Sequence, residues 1–143
     1  MNFPIEIKEL ESELPHRPPM VWVDRVLWID ATKGECEVQI DPQALYCENG
    51  KVRQVAPIEW IAQTVGFCRA ARDKSNPERK IHEAFLVGIK NTKIEGLEIL
   101  KPGDTVRITA EIVRELAPLT LVKGTVTYQD KCLAVSTLKL FSI

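Results

Sequence analysis

The sequence predicts an α+β domain in which an antiparallel sheet wraps around one long central helix. Three observations lead there. Residues 56–74 carry apolar side chains around most of a helical circumference, which marks a helix enclosed by other elements rather than lying on a surface. Apolar and polar residues alternate with period two on both sides of that helix, the pattern of half-buried strands. The segments after the helix read as consecutive strands with no helix between them, so they must pair mainly antiparallel.

The chain has 143 residues, 45% hydrophobic and 27% charged, which suits a single globular domain spanning 1–143. Nineteen Lys and Arg against 20 Asp and Glu leave a formal charge of -1. There is no basic field to neutralise a phosphate backbone, so nucleic acid is not an expected partner. No stretch reaches the length of a membrane span, and the first residues lack the basic and apolar regions of a signal peptide, so a cytoplasmic location is expected. Cys36, Cys47, Cys68 and Cys132 form no Cys-x-x-Cys pair and read as reduced, mostly buried thiols rather than metal ligands.

Element by element, Ile5, Ile7, Leu10 and Leu14 are spaced close to one apolar stripe of a helix that Pro15 would stop. Residues 20–29 read as one buried strand crossed by the charged pair Asp24-Arg25, which must be satisfied or solvated. Cys36, Val38 and Ile40 alternate with Glu35, Glu37 and Gln39 as a half-buried strand, and residues 41–51 read as a loop. The central helix has Pro57 at its start and Asn76-Pro77 at its far end, and its length is about 27 Å at 1.5 Å per residue. Strands are expected at 83–89 and, beyond the turn Lys101-Pro102-Gly103-Asp104, at 106–112. A hairpin joins 119–128 to 132–141 through Gln129-Asp130-Lys131. A sheet curled round a single apolar helix buries both economically, and that is the hot-dog fold.

Glu59 and Gln63 stand one turn apart on this otherwise apolar helix, with Gly66 and Ala70 continuing the line. Two readings are open. In one, Glu59 complements the helix dipole and Gln63 satisfies a nearby backbone group. In the other, Glu59 lies in an apolar cleft and acts as a general acid or base. His16 lies in a proline-flanked turn, where a structural hydrogen bond competes with a catalytic role, and His82 reads as a surface residue. There is no nucleophile elbow, phosphate loop or metal-spaced ligand set, so neither a cofactor nor a metal is expected.

The run Leu14-Pro15-His16-Arg17-Pro18-Pro19-Met20-Val21-Trp22-Val23-Asp24-Arg25-Val26-Leu27 resembles the opening signature of the 3-hydroxyacyl-acyl carrier protein dehydratases, a hot-dog family. Glu59-Trp60-Ile61-Ala62-Gln63 resembles their Glu-Ala-Met-Ala-Gln segment. Phe85-Leu86-Val87-Gly88-Ile89 is similar to their Phe-Ala-Gly-Ile strand, and Pro102-Gly103-Asp104 to their Pro-Gly-Asp turn. The resemblance runs in order over nearly the whole chain. It implies removal of water from a 3-hydroxyacyl thioester: a histidine takes the α-proton, a helix-borne carboxylate helps expel the β-hydroxyl, and helix N-terminal amides polarise the thioester carbonyl.

On that resemblance Glu59 is the catalytic carboxylate, with Gln63, Ala56, Pro57, Ile58, Val87 and Gly88 as substrate-binding positions. The family's Gly-His-Phe-Pro histidine has no counterpart, because Leu45-Tyr46-Cys47-Glu48-Asn49 stands there, and Arg53-Gln54 replaces the family's Pro-Gly before the helix. The chain thus resembles a dehydratase-like subgroup without that histidine, similar to proteins of polyene or fatty-acid synthesis. His16, Tyr46, Cys47 and Glu48 are candidate substitutes. Loss of an acid–base partner costs about 10²–10⁴ in rate, so dehydration is expected to be weak, altered or lost. The implied partner is an acyl thioester on acyl carrier protein or coenzyme A. The alternatives are a non-catalytic subunit of a histidine-bearing dehydratase and an acyl thioesterase. Either a homodimer or higher oligomer, or a hetero-oligomer with a dehydratase, would complete the site.

Overall fold

The computed structural model describes residues 2–13, 17–74 and 84–142. Leu14, Pro15, His16, Asn76, Pro77 and His82 lie outside them. The strands are β1 (Ile5–Glu6), β2 (Arg25–Ile29), β3 (Lys33–Gln39), β4 (Cys47–Glu48), β5 (Lys51–Val52), β6 (Ala84–Ile94), β7 (Thr105–Leu116), β8 (Leu119–Tyr128) and β9 (Lys131–Ser142), and the helix is α1 (Ala56–Lys74). Seven strands form one antiparallel sheet in the order β1-β2-β3-β7-β8-β9-β6, while β4 and β5 pair as a separate hairpin. This is the hot-dog arrangement, and α1 begins and ends where its apolar periodicity does.

Alternation decides which face of each strand meets the helix. Val106, Ile108 and Ala110 of β7, Val122, Gly124 and Val126 of β8, and Leu138 and Leu140 of β9 are buried. Helix residues Trp60, Ile61, Phe67, Cys68 and Ala71 complete the same core. Two glycines set how close the layers come. A Cβ on Gly124 would stand 2.2 Å from Ile61 Cγ2, and one on Gly34 would stand 2.3 Å from Cys68 Sγ. Side chains there would hold the helix off the sheet.

Turns follow their local chemistry. Gln129 and Asp130 both take positive φ, 47° and 66°, as a two-residue hairpin turn between twisted strands requires. At Lys101-Pro102-Gly103-Asp104, Gly103 has φ 89°, and the turn is tied to the end of β3 by Gly103 N–H donating to Ile40 O at 2.9 Å.

Four expectations need correction. The helix expected at 5–14 is instead β1 followed by 3₁₀ turns at Ile7–Glu9 and Glu11–Glu13. Pairing of Ile5 with Val26 takes the segment's start into the sheet, and the Ile7 to Leu10 spacing is served by a single 3₁₀ turn. The strand expected at 20–29 begins only at Arg25, because the amides of Trp22 and Val23 bond a helix side chain rather than a neighbouring strand. The loop at 41–51 contains the β4 strand and the start of β5, joined at Asn49-Gly50, both with positive φ. The cysteines divide: Cys36 and Cys68 are buried, Cys47 is half-buried and Cys132 is exposed, all four as free thiols.

The Asp24-Arg25 crossing is satisfied. Arg25 pairs with Glu6 at 3.1 Å and with Glu37, and Asp24 Oδ2 accepts from Gln39 N–H at 2.6 Å. Desolvation nevertheless raises the Asp24 carboxyl above its usual range.

Candidate functional site

The first turns of α1 bring the polar helix residues together. Ala56 and Pro57 are buried in the core, while Ile58 and Glu59 are half-buried. Gln63, one turn beyond Glu59, is 1% exposed. Its Oε1 accepts from Trp22 N–H at 2.9 Å and Val23 N–H at 3.3 Å, and its Nε2 donates to Met20 O at 2.7 Å and to Glu59 Oε1 at 3.1 Å. Two lone pairs and two N–H groups are thereby used, which is all a primary amide offers. Gln63 therefore fastens the chain at 20–23 across the helix and orients Glu59, with no polar capacity left for a ligand.

The stretch expected to supply a substitute for the histidine is committed largely to structure. Tyr46 is 2% exposed, with its ring edge-on between Trp22 (centroids 5.4 Å) and Trp60 (5.3 Å). Its hydroxyl donates to Gln39 O at 3.2 Å and accepts from Asp41 N–H at 2.9 Å. Burial pushes that hydroxyl up to about 12, so Tyr46 keeps its proton and serves as a brace between the end of β3 and the helix. Burial also raises the Cys47 thiol. Glu48 is exposed on the β4–β5 hairpin. Trp60 Nε1 is buried with no hydrogen-bond partner among the described residues.

Val87 and Gly88 lie elsewhere in the protomer. They sit on β6, the sheet's edge strand, and line a groove of about 530 Å³ whose walls come from β6, β7, β8 and β9 and include no residue of α1. Within one chain the structure thus groups Glu59, Gln63, Ala56, Pro57 and Ile58 at the helix start, and places Val87 and Gly88 at the sheet edge. No group of three or more His, Cys, Asp or Glu suited to a metal occurs among the described residues.

Sequence reasoning missed the aromatic brace and the backbone partners of Gln63. The contact from Gln63 to Trp22 spans 41 residues, and no local periodicity announces it.

A model of ApeP-like dehydratases matches residues 8–143. The chain belongs to the ApeP-like dehydratase family. It is also 35% identical over 140 residues to the 3-hydroxyacyl-acyl-carrier-protein dehydratase FabZ of Rickettsia felis, covering 92% of each chain. Among solved structures, a chain of the dehydratase heterocomplex ApeI:P from Xenorhabdus doucetiae superposes with a TM-score of 0.83 at 17% identity, covering 100% of this chain and 93% of that one. A hypothetical thioesterase with coenzyme A from Streptococcus pneumoniae superposes with a TM-score of 0.69 at 9% identity, covering 96% of both, and shares the fold. Among the described residues, no helix is long and apolar enough to cross a membrane.

Proposed function

We propose that this chain binds a 3-hydroxyacyl thioester, on acyl carrier protein or coenzyme A, with the acyl chain along α1, and forms one half of a dehydratase site completed by a second subunit. In the reaction a base on that subunit removes the α-proton and the C–O bond to the β-hydroxyl breaks. The hydroxyl takes the proton of the Glu59 carboxyl, and enoyl thioester and water are released. The thioester carbonyl is polarised at the start of α1 by the amide of Ile58, which lies in the first turn and so lacks an intrahelical partner.

The carrying observation is the asymmetry of the site. Glu59 is oriented by a fully engaged Gln63, while the hydroxyl of Tyr46, a candidate substitute for the histidine, is committed to backbone. Dehydration needs a base as well as this carboxyl, and a second subunit would supply it. The edge of β6 supports the same reading: among the described residues it pairs with β9 alone, which leaves one backbone edge for a neighbouring subunit's strand. A histidine-bearing dehydratase of the same fold is the partner this chemistry requires, and the similarity to a chain of the Xenorhabdus dehydratase heterocomplex favours it over a self-sufficient enzyme.

The test is turnover of 3-hydroxyacyl thioesters by the purified chain, alone and co-expressed with such a dehydratase. Enoyl product is expected from the complex, and Glu59→Gln should lower the rate at least ~10²-fold with little change in stability. An unchanged rate in the variant complex, or full activity of the chain alone, would overturn the proposal.

A further inference from the structure

The groove that contains Gly88 lies on the outer face of the sheet. Gly124 of β8 abuts the helix, so Leu119, Leu121 and Lys123, of opposite parity along the same strand, point away from it. Strand register carries that parity across four strands. Arg114 pairs with Leu121, Leu121 with Lys139 and Lys139 with Gly88, forming one transverse row. The next row outward joins Leu116 to Leu119, Leu119 to Phe141 and Phe141 to Phe85. On the opposite side, Lys139 is flanked by Thr137, which pairs with Lys90.

The groove therefore has two ends. One is apolar, made by Leu116, 60% exposed, and Leu119. The other carries Lys90, the row between the ends sets Leu121 between Arg114 and Lys139, and no carboxylate contributes to the lining. None of these three cations has an ion-pair partner among the described residues. Elsewhere on the sheet Lys33 pairs with Glu111 at 3.7 Å and Arg107 with Glu35 at 3.6 Å. Gly88 lowers the floor between the two ends, since a side chain there would rise beside Lys139 Cβ, 3.4 Å from the Cβ position.

We infer that this groove is a binding site for a single-chain anionic amphiphile, its carboxylate or phosphate head held by Lys90, Arg114 and Lys139 and its tail lying along Leu116, Leu119 and Leu121. Charge complementarity selects this occupant. A second copy docked symmetrically would set the same three cations against each other, which is repulsive. A neutral apolar ligand would leave them unused. The acyl slot proposed at Glu59 lies on the helix side of the sheet, so the two sites are separate.

The experiment titrates the full chain with dodecanoate, dodecyl phosphate and uncharged dodecanol, each below its micellar concentration, and follows leucine and isoleucine methyl resonances. Saturable shifts at Leu119 and Leu121 are expected with both anions, their relative affinity identifying the preferred head group. Arg114→Ala and Lys139→Ala should each weaken binding about tenfold, the worth of one charge-assisted contact. Glu59→Gln should leave amphiphile binding unchanged. Three results would overturn the inference: equal affinity for dodecanol, shifts centred on Ile58 and Ile61 of α1, or groove shifts that depend on protein concentration alone, which would assign the face to a second copy.

Discussion

The start of α1 and the β6 edge handle their polar and apolar groups in opposite ways. At the helix start, Gln63 and Tyr46 spend their hydrogen-bonding groups on the chain's own backbone and, in Gln63, on the Glu59 carboxylate. Along β6, which among the described residues pairs with β9 alone, the other backbone edge has no strand partner, and Phe85, Val87 and Ile89 are each about half exposed, at 48%, 54% and 50%. Buried groups already satisfied by the protein rigidify a site and orient its one ionisable member. An exposed, apolar strand edge is a surface left for something else to cover. The chain combines a finished interior with an unfinished border.

The comparison can be broken first at Gln63. Gln63→Ala would leave the amides of Trp22 and Val23 and the carbonyl of Met20 without their partner, so a loss of about 3 kcal/mol is expected in a denaturant titration. A loss below about 1 kcal/mol would show that water replaces the amide and that the interior is less finished than it looks.

Tyr46 sharpens the same contrast through pH. Its hydroxyl titrates at about 12 in the folded chain against 10.0 for an ordinary tyrosine. Between those values the folded state retains a proton that the unfolded state has lost. Stability must therefore fall as pH rises above 10, by about 2 kcal/mol at pH 12. In Tyr46→Phe that part of the alkaline decline should vanish, while a pH-independent loss of about 1 kcal/mol for the missing hydroxyl contacts remains. Parallel profiles for the two proteins, measured as unfolding midpoint against pH, would place the ionisation elsewhere.

The smallest effect on stability belongs to the border. Val87→Lys on the open edge should change the unfolding free energy by no more than about 0.5 kcal/mol, yet weaken association with any partner subunit, read by sedimentation. If it unfolds the chain as Gln63→Ala does, the edge is part of the core and the contrast fails.

Much of this was legible along the chain, and the reason is locality. The bounds of α1 follow from an apolar period that Pro57 opens, and β8 and β9 follow from alternation interrupted at Gln129-Asp130, where two positive φ angles are needed. Glu59 stood out because a carboxylate on an apolar helix has few explanations. The segment at 5–14 misled because Ile5, Ile7 and Leu10 satisfy a helical stripe almost as well as a strand end followed by a 3₁₀ turn, and pairing with Val26 decided between them. The strand at 20–29 was overdrawn because residues 20–23 are apolar enough for a strand while their amides are held by Gln63.

By itself, then, the sequence determined the fold class, the central helix and the carboxylate on it, since each is written in spacing over a few residues. Tertiary structure alone decided that Gln63 is a clamp, that Tyr46 is a brace with a retained proton, and that Arg114, Leu121, Lys139 and Gly88 share one row. Those facts depend on which distant strands and turns lie side by side, and close approach in space is set by packing of the whole chain rather than by any short stretch of it.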